Sequence, residues 1–288
     1  MTANFLQILI LGLVQGAAEL LPVSSSAHVI VAEKLLGLDP STPEMTFLLV
    51  MLHTGTMFAV IVYFWASWRA SYFASWAAFR TILVNVVAAT VATGVVGLLL
   101  QYLIEKIFLG HHGEKAEVEL LSSQLPLIAA ALFAAGLLII YAGIREERNR
   151  GRKDITLHGA GWIGVIQGFC LPFRGFSRSG ATISTGLLLG IDRRRAEEFS
   201  FALAVVLTPV IIVKELGRLL KTQPQITEAS HLMALLQPGL VGMAFSFLSG
   251  LGALWLLSRW LEQGRWKFFG FYCLAAAAVV FGLAKIGY

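Results

Sequence analysis

One carboxylate, three hydroxyls and one imidazole lie within ten residues of each other, in a region of the sequence that is otherwise apolar. Ionisable groups at membrane depth are costly, so they are candidates for function. A hydroxyl nucleophile, an imidazole and a carboxylate are also the groups that nucleophilic catalysis combines. The stretch therefore predicts a catalytic site, and the alternative is that its small polar residues only help helices to pack. The residues concerned are Glu19, Ser24, Ser25, Ser26 and His28.

A second group of polar residues surrounds an arginine in another apolar region. Arg178 lies between two serines, and the residues after it are typical of the start of an apolar helix. The N-terminus of a helix offers unpaired N–H groups to an anion, and a guanidinium matches the oxygens of a phosphate. We therefore predict a phosphate-binding loop. Arg174 precedes Arg178 on this loop, and it either helps to bind phosphate or extends toward the opening of this second polar region. The other residues assigned to phosphate are Ser177, Ser179 and Thr182, with Ser24 and Ser26 from the first stretch.

Arg178 needs a negative partner from elsewhere in the chain, because its own segment contains no acidic residue. The candidates are Glu19 and an anionic substrate, and a purely structural Glu19–Arg178 ion pair is the competing interpretation. His53 is a weaker candidate, since it lies early in a long apolar stretch where helix packing is the simpler role.

The composition places the whole chain in a membrane. Of its 288 residues, 57% are hydrophobic and 14% are charged, against about 25% charged in an ordinary soluble domain. We interpret the net charge of +5 as a topology signal, because no basic groove interleaved with aromatic residues suggests nucleic acid. Cys170 and Cys273 lie in apolar segments without a CxxC partner, so neither a disulfide nor a zinc site is indicated.

Eight apolar regions divide the chain, and two of them are interrupted. Residues 4–36 are broken by Pro22 and the serines, and residues 159–190 are broken by Pro172 and the run around Arg178. Each half is shorter than the roughly 20 residues that a spanning helix needs. We predict that both are re-entrant helix–loop–helix hairpins, which are tolerated where the loop lines an enclosed cavity. The six regions predicted to span the membrane are 44–67, 79–104, 124–144, 196–220, 232–258 and 267–286.

The two interrupted regions resemble each other. Val14-Gln15-Gly16 matches Ile166-Gln167-Gly168, and Leu35-Leu36-Gly37 matches Leu188-Leu189-Gly190. Each region is followed by three long spans, so the second repeat begins on the opposite side of the membrane from the first. Inverted repeats with interrupted helices place their site near the midplane, where we expect the two hairpin tips to meet.

The predicted fold class is an all-α polytopic membrane protein with a single integral-membrane domain, residues 1–288. Each inverted repeat is one re-entrant hairpin plus three transmembrane helices. The repeats are residues 1–145 and 157–288, and residues 146–156 form the linker. On this topology thirteen Lys and Arg lie on one side, seven on the other, and the remaining two of the 22 in the second hairpin. The positive-inside rule puts the richer side in the cytoplasm, so the first hairpin opens outward.

The sequence resembles a known family, the bacterial undecaprenyl-diphosphate phosphatases. The stretch from Gln15 to His28 looks like the family's (Glu/Gln)xxxGlu and Pro-Val-Ser-Ser-x-x-His elements. Residues 175–182 look like its Pro-Gly-x-Ser-Arg-Ser-x-x-Thr element, although Phe173 and Arg174 here separate the proline from the glycine. The resemblance extends over essentially the whole chain. It implies hydrolysis of undecaprenyl diphosphate to the monophosphate, which recycles the carrier lipid for peptidoglycan and other cell-wall glycans, and bacitracin resistance on overexpression.

The resemblance also implies where such a protein acts and what it binds. It implies a multi-pass protein of the bacterial inner (cytoplasmic) membrane, an active site open to the periplasmic side, and a divalent cation, Mg²⁺ or Ca²⁺, as cofactor. The implied partners are the polyprenyl diphosphate and membrane lipids, without nucleic acid, and a homodimer is left open. By motif position, the catalytic roles fall on Glu19, Ser25, His28 and Arg178. Glu19 and Gln15 become the metal ligands, although Gln15 stands where many members have Glu.

Three mechanisms stay open at this stage. In the first, Ser25 attacks the terminal phosphorus, His28 acts as acid–base, and Glu19 orients His28 or binds the cation. In the second, His28 is the nucleophile. In the third, a metal-activated water attacks and Ser25 is only a ligand. A transporter or lipid flippase is the alternative function, since inverted repeats with broken helices are also a transporter layout.

Overall fold

The computed structural model describes residues 3–39, 42–108, 124–148, 154–222 and 229–286. The regular secondary structure of these residues is helical, and no strand occurs among them. The helices, numbered here in chain order, are α1 Phe5–Leu20, α2 Ser25–Leu35, α3 Pro43–Ser71, α4 Trp76–Phe108, α5 Leu125–Arg148, α6 Leu157–Cys170, α7 Arg178–Leu188, α8 Arg193–Thr222, α9 Ala229–Glu262 and α10 Trp266–Lys285.

Six of the described helices are long and apolar enough to cross a membrane, namely α3, α4, α5, α8, α9 and α10. The prediction of six spans is therefore confirmed in number and in place. The other four helices are α1 with 16 residues, α2 with 11, α6 with 14 and α7 with 11. All four are shorter than the roughly 20 residues that a span requires. Of the predicted linker, residues 146–148 belong to α5, and residues 149–153 lie outside the described ranges.

The first helix of the first interrupted region ends two residues before Pro22. α1 begins with a capping box, in which the Asn4 side chain accepts from the N–H of Gln7 and the Gln7 side chain accepts from the N–H of Asn4. α1 stops at Leu20, because the chain is extended at Leu21 and a proline cannot continue a helix. The break predicted near Pro22 is confirmed.

The second interrupted region contains a longer break, of seven residues against four in the first. α6 follows an N-cap at Thr156, and residues 171–177 form the turns between α6 and α7. Ser177 caps α7 by accepting the N–H of Gly180 at 3.2 Å. Arg178 is therefore the first residue of a capped helix, as the sequence predicts.

The two interrupted regions each pack against a long helix from the other half of the chain. α1 lies against α9, α6 lies against α4, and α10 packs along α5. The largest buried apolar cluster joins Phe64 of α3, Phe201 of α8 and Trp266 of α10. This interleaving brings the turn after α1 and the turn after α6 together, so that the hydroxyl of Ser179 donates to the carbonyl of Leu21 at 3.3 Å.

Candidate active site

Glu19 is the centre of the site, and its carboxylate accepts hydrogen bonds from both interrupted regions. Ser25 donates its hydroxyl to Oε2 at 2.5 Å, and Arg178 donates Nη2 to Oε1 at 2.8 Å. Gln15, one turn earlier on α1, donates its amide to Oε2 at 3.3 Å. The Glu19 side chain is 17% exposed and that of Arg178 is 22% exposed, so the cluster is largely removed from water but still accessible. The structure thus unites four of the residues that the sequence singles out.

The turn that carries Ser25 has a strained backbone at Ser24. Among the described residues, Ser24 is the only non-glycine with a positive φ, which is 69°. Such a conformation costs about 1–3 kcal/mol and persists where neighbouring contacts fix it. Here the Ser24 carbonyl accepts from Nδ1 of His28 at 2.8 Å, and the Ser24 hydroxyl lies 3.2 Å from that of Ser26. These contacts hold the first turn of α2 so that Ser25 reaches Glu19.

One nitrogen of the Arg178 guanidinium has no hydrogen-bond partner among the described residues. Its Nη2 binds Glu19, whereas its Nη1 is buried and has no hydrogen-bond partner among the described residues. An unsatisfied buried donor costs about 1–3 kcal/mol, so its presence in a native site is explained by a ligand or an ordered water. Arg178 is also the first residue of α7, so the positive, N-terminal end of the α7 helix dipole lies at Arg178.

The loop before Arg178 is clamped between α2 and α5. Gly175 donates its N–H to the hydroxyl of Ser26 at 3.3 Å. The φ of Gly175 is 101°, which L side chains rarely adopt, and a Cβ there would lie 2.5 Å from the carbonyl oxygen of Ile128. Glycine is therefore required at this position, and the loop has a fixed place beside the serine turn.

The hydroxyls assigned to phosphate on the Arg178 side, like those of Ser24 and Ser26, have partners within the protein. Ser177 caps α7, and Ser179 donates to the carbonyl of Leu21. Thr182 lies 2.6 Å from the hydroxyl of Ser200 on α8. All three of these side chains are buried and hold the loop in place, and their assignment to phosphate stays a prediction.

The hydrogen bonds of His28 go to neither Ser25 nor Glu19. Its Nδ1 donates to the Ser24 carbonyl, which places the hydrogen on that nitrogen because a carbonyl can only accept. In the neutral ring, Nε2 then accepts from the hydroxyl of Tyr272 at 2.8 Å, and the two rings stack with centroids 5.7 Å apart. In this arrangement Glu19 orients Ser25. Of the two roles that the sequence left open for Glu19, no hydrogen bond supports orientation of His28, and cation binding stays a prediction.

His53 lies beside Glu19, a position that its own sequence context does not indicate. Its Nε2 is 3.8 Å from Oε2 of Glu19, and its Nδ1 donates to the carbonyl of Leu49 at 2.8 Å. The His53 side chain is 41% exposed, so the ring is accessible from the site. The sequence favours helix packing for this residue, because nothing in the pattern of α3 refers to a carboxylate on α1.

Glu33 is a buried carboxylate, in addition to Glu19, that the sequence analysis did not single out. It is 3% exposed, and its Oε1 has no hydrogen-bond partner among the described residues. An acidic residue inside an apolar segment was the signal that could have found it.

The described residues offer few ligands to a divalent cation. They contain no group of three or more His, Cys, Asp or Glu side chains that could hold a metal ion. Near the serine turn the donors are the Glu19 carboxylate and the Gln15 amide, and both Glu19 oxygens already accept hydrogen bonds. Mg²⁺ bound with phosphates commonly takes only one or two carboxylates from the protein. This set therefore fits a cation that binds together with a diphosphate, and not one that the protein holds alone.

Comparison with known proteins gives a consistent result. Residues 8–279 match the family described as bacitracin resistance protein BacA. Undecaprenyl-diphosphatase 2 of Acinetobacter baylyi is 61% identical over 283 residues, which is 98% of this chain and 98% of the relative. The undecaprenyl-diphosphatase of Thermus thermophilus is 33% identical over 95% of both chains. That of Halothermothrix orenii is 30% identical over 97% of this chain and 98% of the relative. These three relatives are named as diphosphatases and not as transporters.

Proposed function

The chain belongs to the bacitracin resistance protein BacA family, and from this premise we propose that it hydrolyses undecaprenyl diphosphate to undecaprenyl phosphate and inorganic phosphate. The reaction returns the carrier lipid to the synthesis of peptidoglycan and other cell-wall glycans, and it confers resistance to bacitracin. Support comes from three relatives that align over at least 95% of this chain and carry the name of this activity.

The observation that carries this proposal is the meeting of Ser25, Glu19 and Arg178 in one accessible cluster. Hydrolysis of a diphosphate needs a nucleophile, a base, and positive charge to offset the phosphate oxygens. The Ser25 hydroxyl, 2.5 Å from the Glu19 carboxylate, provides the nucleophile and its base. Arg178 provides the charge, and its Nη1 has no hydrogen-bond partner within the part of the chain that the structure describes. Helix packing alone gives no reason to bring these three groups together.

In the proposed reaction, Ser25 attacks the terminal phosphorus of the substrate. The bond from Oγ to phosphorus forms as the bond from phosphorus to the bridging oxygen breaks, and undecaprenyl phosphate leaves with that electron pair. Glu19 takes the hydroxyl proton, and Arg178 stabilises the negative charge that builds on the phosphate oxygens. Water then attacks the phosphorus of the phosphoserine as the bond from phosphorus to Oγ breaks. Glu19 returns its proton to Oγ, and inorganic phosphate leaves with the two protons of the water.

Attack by His28 and attack by a metal-activated water are the competing mechanisms. The geometry supports Ser25, because Ser25 and not His28 donates to the Glu19 carboxylate. Trapping a phosphoryl-enzyme with terminally labelled substrate separates the three. Label found in His28→Ala but absent from Ser25→Ala supports attack by Ser25, and the reverse supports attack by His28. A wild type that never acquires label points to water.

We propose Mg²⁺ or Ca²⁺ as the cofactor, bound together with the diphosphate. Glu19 and Gln15 are the nearby residues that would hold it, and the cation would offset the charge of the diphosphate. Glu19 accepts the hydroxyl of Ser25, and Arg178 is placed to bind the terminal phosphate.

We propose that the two interrupted regions are re-entrant hairpins of two inverted repeats. Gly37 and Gly190, each two residues beyond the second short helix of its region, have positive φ values of 66° and 76°. Gln15 and Gln167 are both buried near the ends of α1 and α6. The packing of α1 on α9 also corresponds to that of α6 on α4, if each repeat contributes five helices. These corresponding features support an internal symmetry.

Such a layout puts the site near the middle of the bilayer. The excess of Lys and Arg on the opposite side supports an opening toward the periplasm of a bacterial inner membrane. The lipid substrate and the surrounding membrane lipids are then the partners of the protein. Labelling of single cysteines with a membrane-impermeant reagent tests this orientation, because residues at the mouth of the first hairpin should react from outside.

Phosphate release from undecaprenyl diphosphate by the purified protein tests the proposed activity. We expect release by the wild type, and release slowed at least about 100-fold by Ser25→Ala and by Arg178→Ala. Ser258→Ala is the matched control, because Ser258 also donates to a glutamate, Glu197, at 2.5 Å elsewhere in the protein. A folded wild type that releases no phosphate with any cation would contradict the proposal. Lipid movement across liposomes without hydrolysis would then favour transport.

A further inference from the structure

His28 is a polar residue of the site that the proposed reaction does not use. Ser25 already has a base, because it donates its hydroxyl to Glu19 at 2.5 Å. The step without a base is the second one, in which water attacks the phosphorus of the phosphoserine. His28 lies three residues after Ser25 on α2, so the two side chains are neighbours on one face of the helix. An imidazole beside the phosphoserine is therefore in the right region to serve that water.

Both ring nitrogens of His28 are already bonded within the protein. Nδ1 donates to the carbonyl of Ser24 at 2.8 Å, and Nε2 accepts from the hydroxyl of Tyr272 at 2.8 Å. A neutral imidazole has one donor and one acceptor, so neither nitrogen is left for a water molecule. While these hydrogen bonds last, a proton can reach Nε2 only through the hydroxyl of Tyr272.

Tyr272 is fixed against the serine turn but is still accessible. Its neighbour Cys273 is fully buried and donates its thiol to the carbonyl of Pro22 at 3.3 Å, which holds α10 against the turn before α2. The ring of Tyr272 stacks on that of His28, with an angle of 14° between the planes, and Tyr272 is 49% exposed. A phenol can donate and accept at the same time. Its oxygen can therefore accept a proton from water while its own hydrogen points to Nε2.

We infer that Tyr272 is a catalytic residue of the second step, in which its hydroxyl carries a proton from the attacking water to His28. This inference rests on the proposed function. The bond from the water oxygen to phosphorus forms as the bond from phosphorus to Oγ of Ser25 breaks. One water proton moves to Oη of Tyr272 while the phenol proton moves to Nε2, and Glu19 returns its proton to Oγ. The imidazolium then returns its proton along the same path to the phosphate, which leaves with both protons of the water.

Steady-state kinetics of Tyr272→Phe with undecaprenyl diphosphate test this role. The variant keeps the ring that stacks on His28 and loses only the hydroxyl. Its kcat should fall about 100-fold, the lower end of what a positioned acid–base group contributes. Its KM should fall by a similar factor, so that kcat/KM stays within about threefold, because kcat/KM reports the first step and Tyr272 acts in the second. Tyr141→Phe is the control and should change neither constant, since the hydroxyl of Tyr141 accepts from Arg145 of its own helix.

The phosphoryl-enzyme gives a readout that a structural role would not change. With terminally labelled substrate, Tyr272→Phe and His28→Ala should both accumulate label on Ser25, because the first step continues while the second is slow. The double variant should be about as slow as the slower single variant, since two residues on one proton path act as a unit. Melting temperatures of the same proteins show how much of each sample is folded.

A purely structural contact between α10 and α2 makes different predictions. Tyr272→Phe would then fail to fold, keep the wild-type kcat, or lower kcat without accumulating label, and each of these results overturns the inference. A double variant whose loss equals the product of the two single losses overturns it as well, because the hydroxyl then acts independently of His28. A wild type that releases no phosphate instead contradicts the proposed function, so the two failures are distinguishable.

Discussion

Replacing Glu19 with Gln, alone and together with Arg178→Gln, separates a catalytic role from a structural ion pair. On either interpretation the pair stabilises this region, because Nη2 and Oε1 are 2.8 Å apart and both side chains are mostly buried. The interpretations differ in the effect of removing both charges. A structural pair can be replaced by two amides with little loss of activity, whereas a base and a phosphate-binding cation cannot.

The expected magnitudes follow from the burial of the pair and from the role of the carboxylate. Breaking a buried ion pair by removing one partner costs about 3–5 kcal/mol, because the other charge is left unpaired. Glu19 and Arg178 keep 17% and 22% of their exposure, so water relieves part of this cost. We therefore expect each single variant to lose about 2–3 kcal/mol of stability. Loss of the base at Ser25 should lower kcat about 100- to 10,000-fold, or about 3–5 kcal/mol of transition-state stabilisation.

The assay combines phosphate release at saturating substrate with thermal unfolding, followed by the fluorescence of the seven tryptophans. Both single variants should lose stability and activity, and the double variant should regain stability while its activity stays lost. Glu146→Gln is the matched control, because Glu146 accepts two hydrogen bonds from Arg193, at 2.6 and 2.7 Å, elsewhere in the protein. It should lose stability but keep its activity per folded molecule.

Two results would refute this reasoning. If the double variant recovers activity to within about tenfold of the wild type, the pair is structural and another group acts as the base, since loss of a general base costs more than that. If Glu146→Gln loses as much activity as Glu19→Gln, activity merely follows stability and the assay says nothing about chemistry at Glu19.

Three further predictions concern the surroundings of the site. Gly175→Ala should lower phosphate release at least about tenfold or prevent folding, because the φ of Gly175 is 101° and the carbonyl of Ile128 occupies the space that a Cβ would need. Gly161→Ala is the control, because no atom lies within 4 Å of a Cβ built there. This variant should keep full activity in the same assay. Tyr272→Phe removes the hydroxyl that lies 2.8 Å from Nε2 of His28, and should raise the ring's pKa in NMR titrations, since a donor to Nε2 favours the neutral ring. EDTA should abolish phosphate release but leave the melting temperature unchanged, since the described residues contain no protein-only metal cluster.

The helices and their interruptions could be predicted because they depend on neighbours along the chain. A run of about 20 apolar residues must be helical in a bilayer, where each backbone group has to bond within its own segment. Pro22 lacks an N–H and clashes with the preceding turn, so α1 ends at Leu20. Ser177 before an apolar run is a helix-capping signal of the same local kind, and α7 begins directly after it.

The sequence predicted the components of the site and named Glu19 as a candidate partner of Arg178, but it did not predict the hydrogen bond from Ser25 to Glu19. Glu19, Ser25 and Arg178 stood out as polar residues in apolar segments, and the likeness of the two regions suggested that their turns meet. In one of the three mechanisms left open by the sequence, His28 is the acid–base partner of Ser25. In the structure His28 hydrogen-bonds to Tyr272 and Ser25 hydrogen-bonds to Glu19.

The sequence by itself determined which polar residues lie in apolar segments, since hydropathy belongs to each residue and its neighbours. Tertiary structure decided which of those residues touch. His53 reaches Glu19 from α3, and Tyr272 reaches His28 from α10, and in each case the partner lies on a different element. Such contacts depend on how helix faces pack against one another, and that packing is set by the shapes of side chains from several helices at once. No local pattern in one helix carries that information.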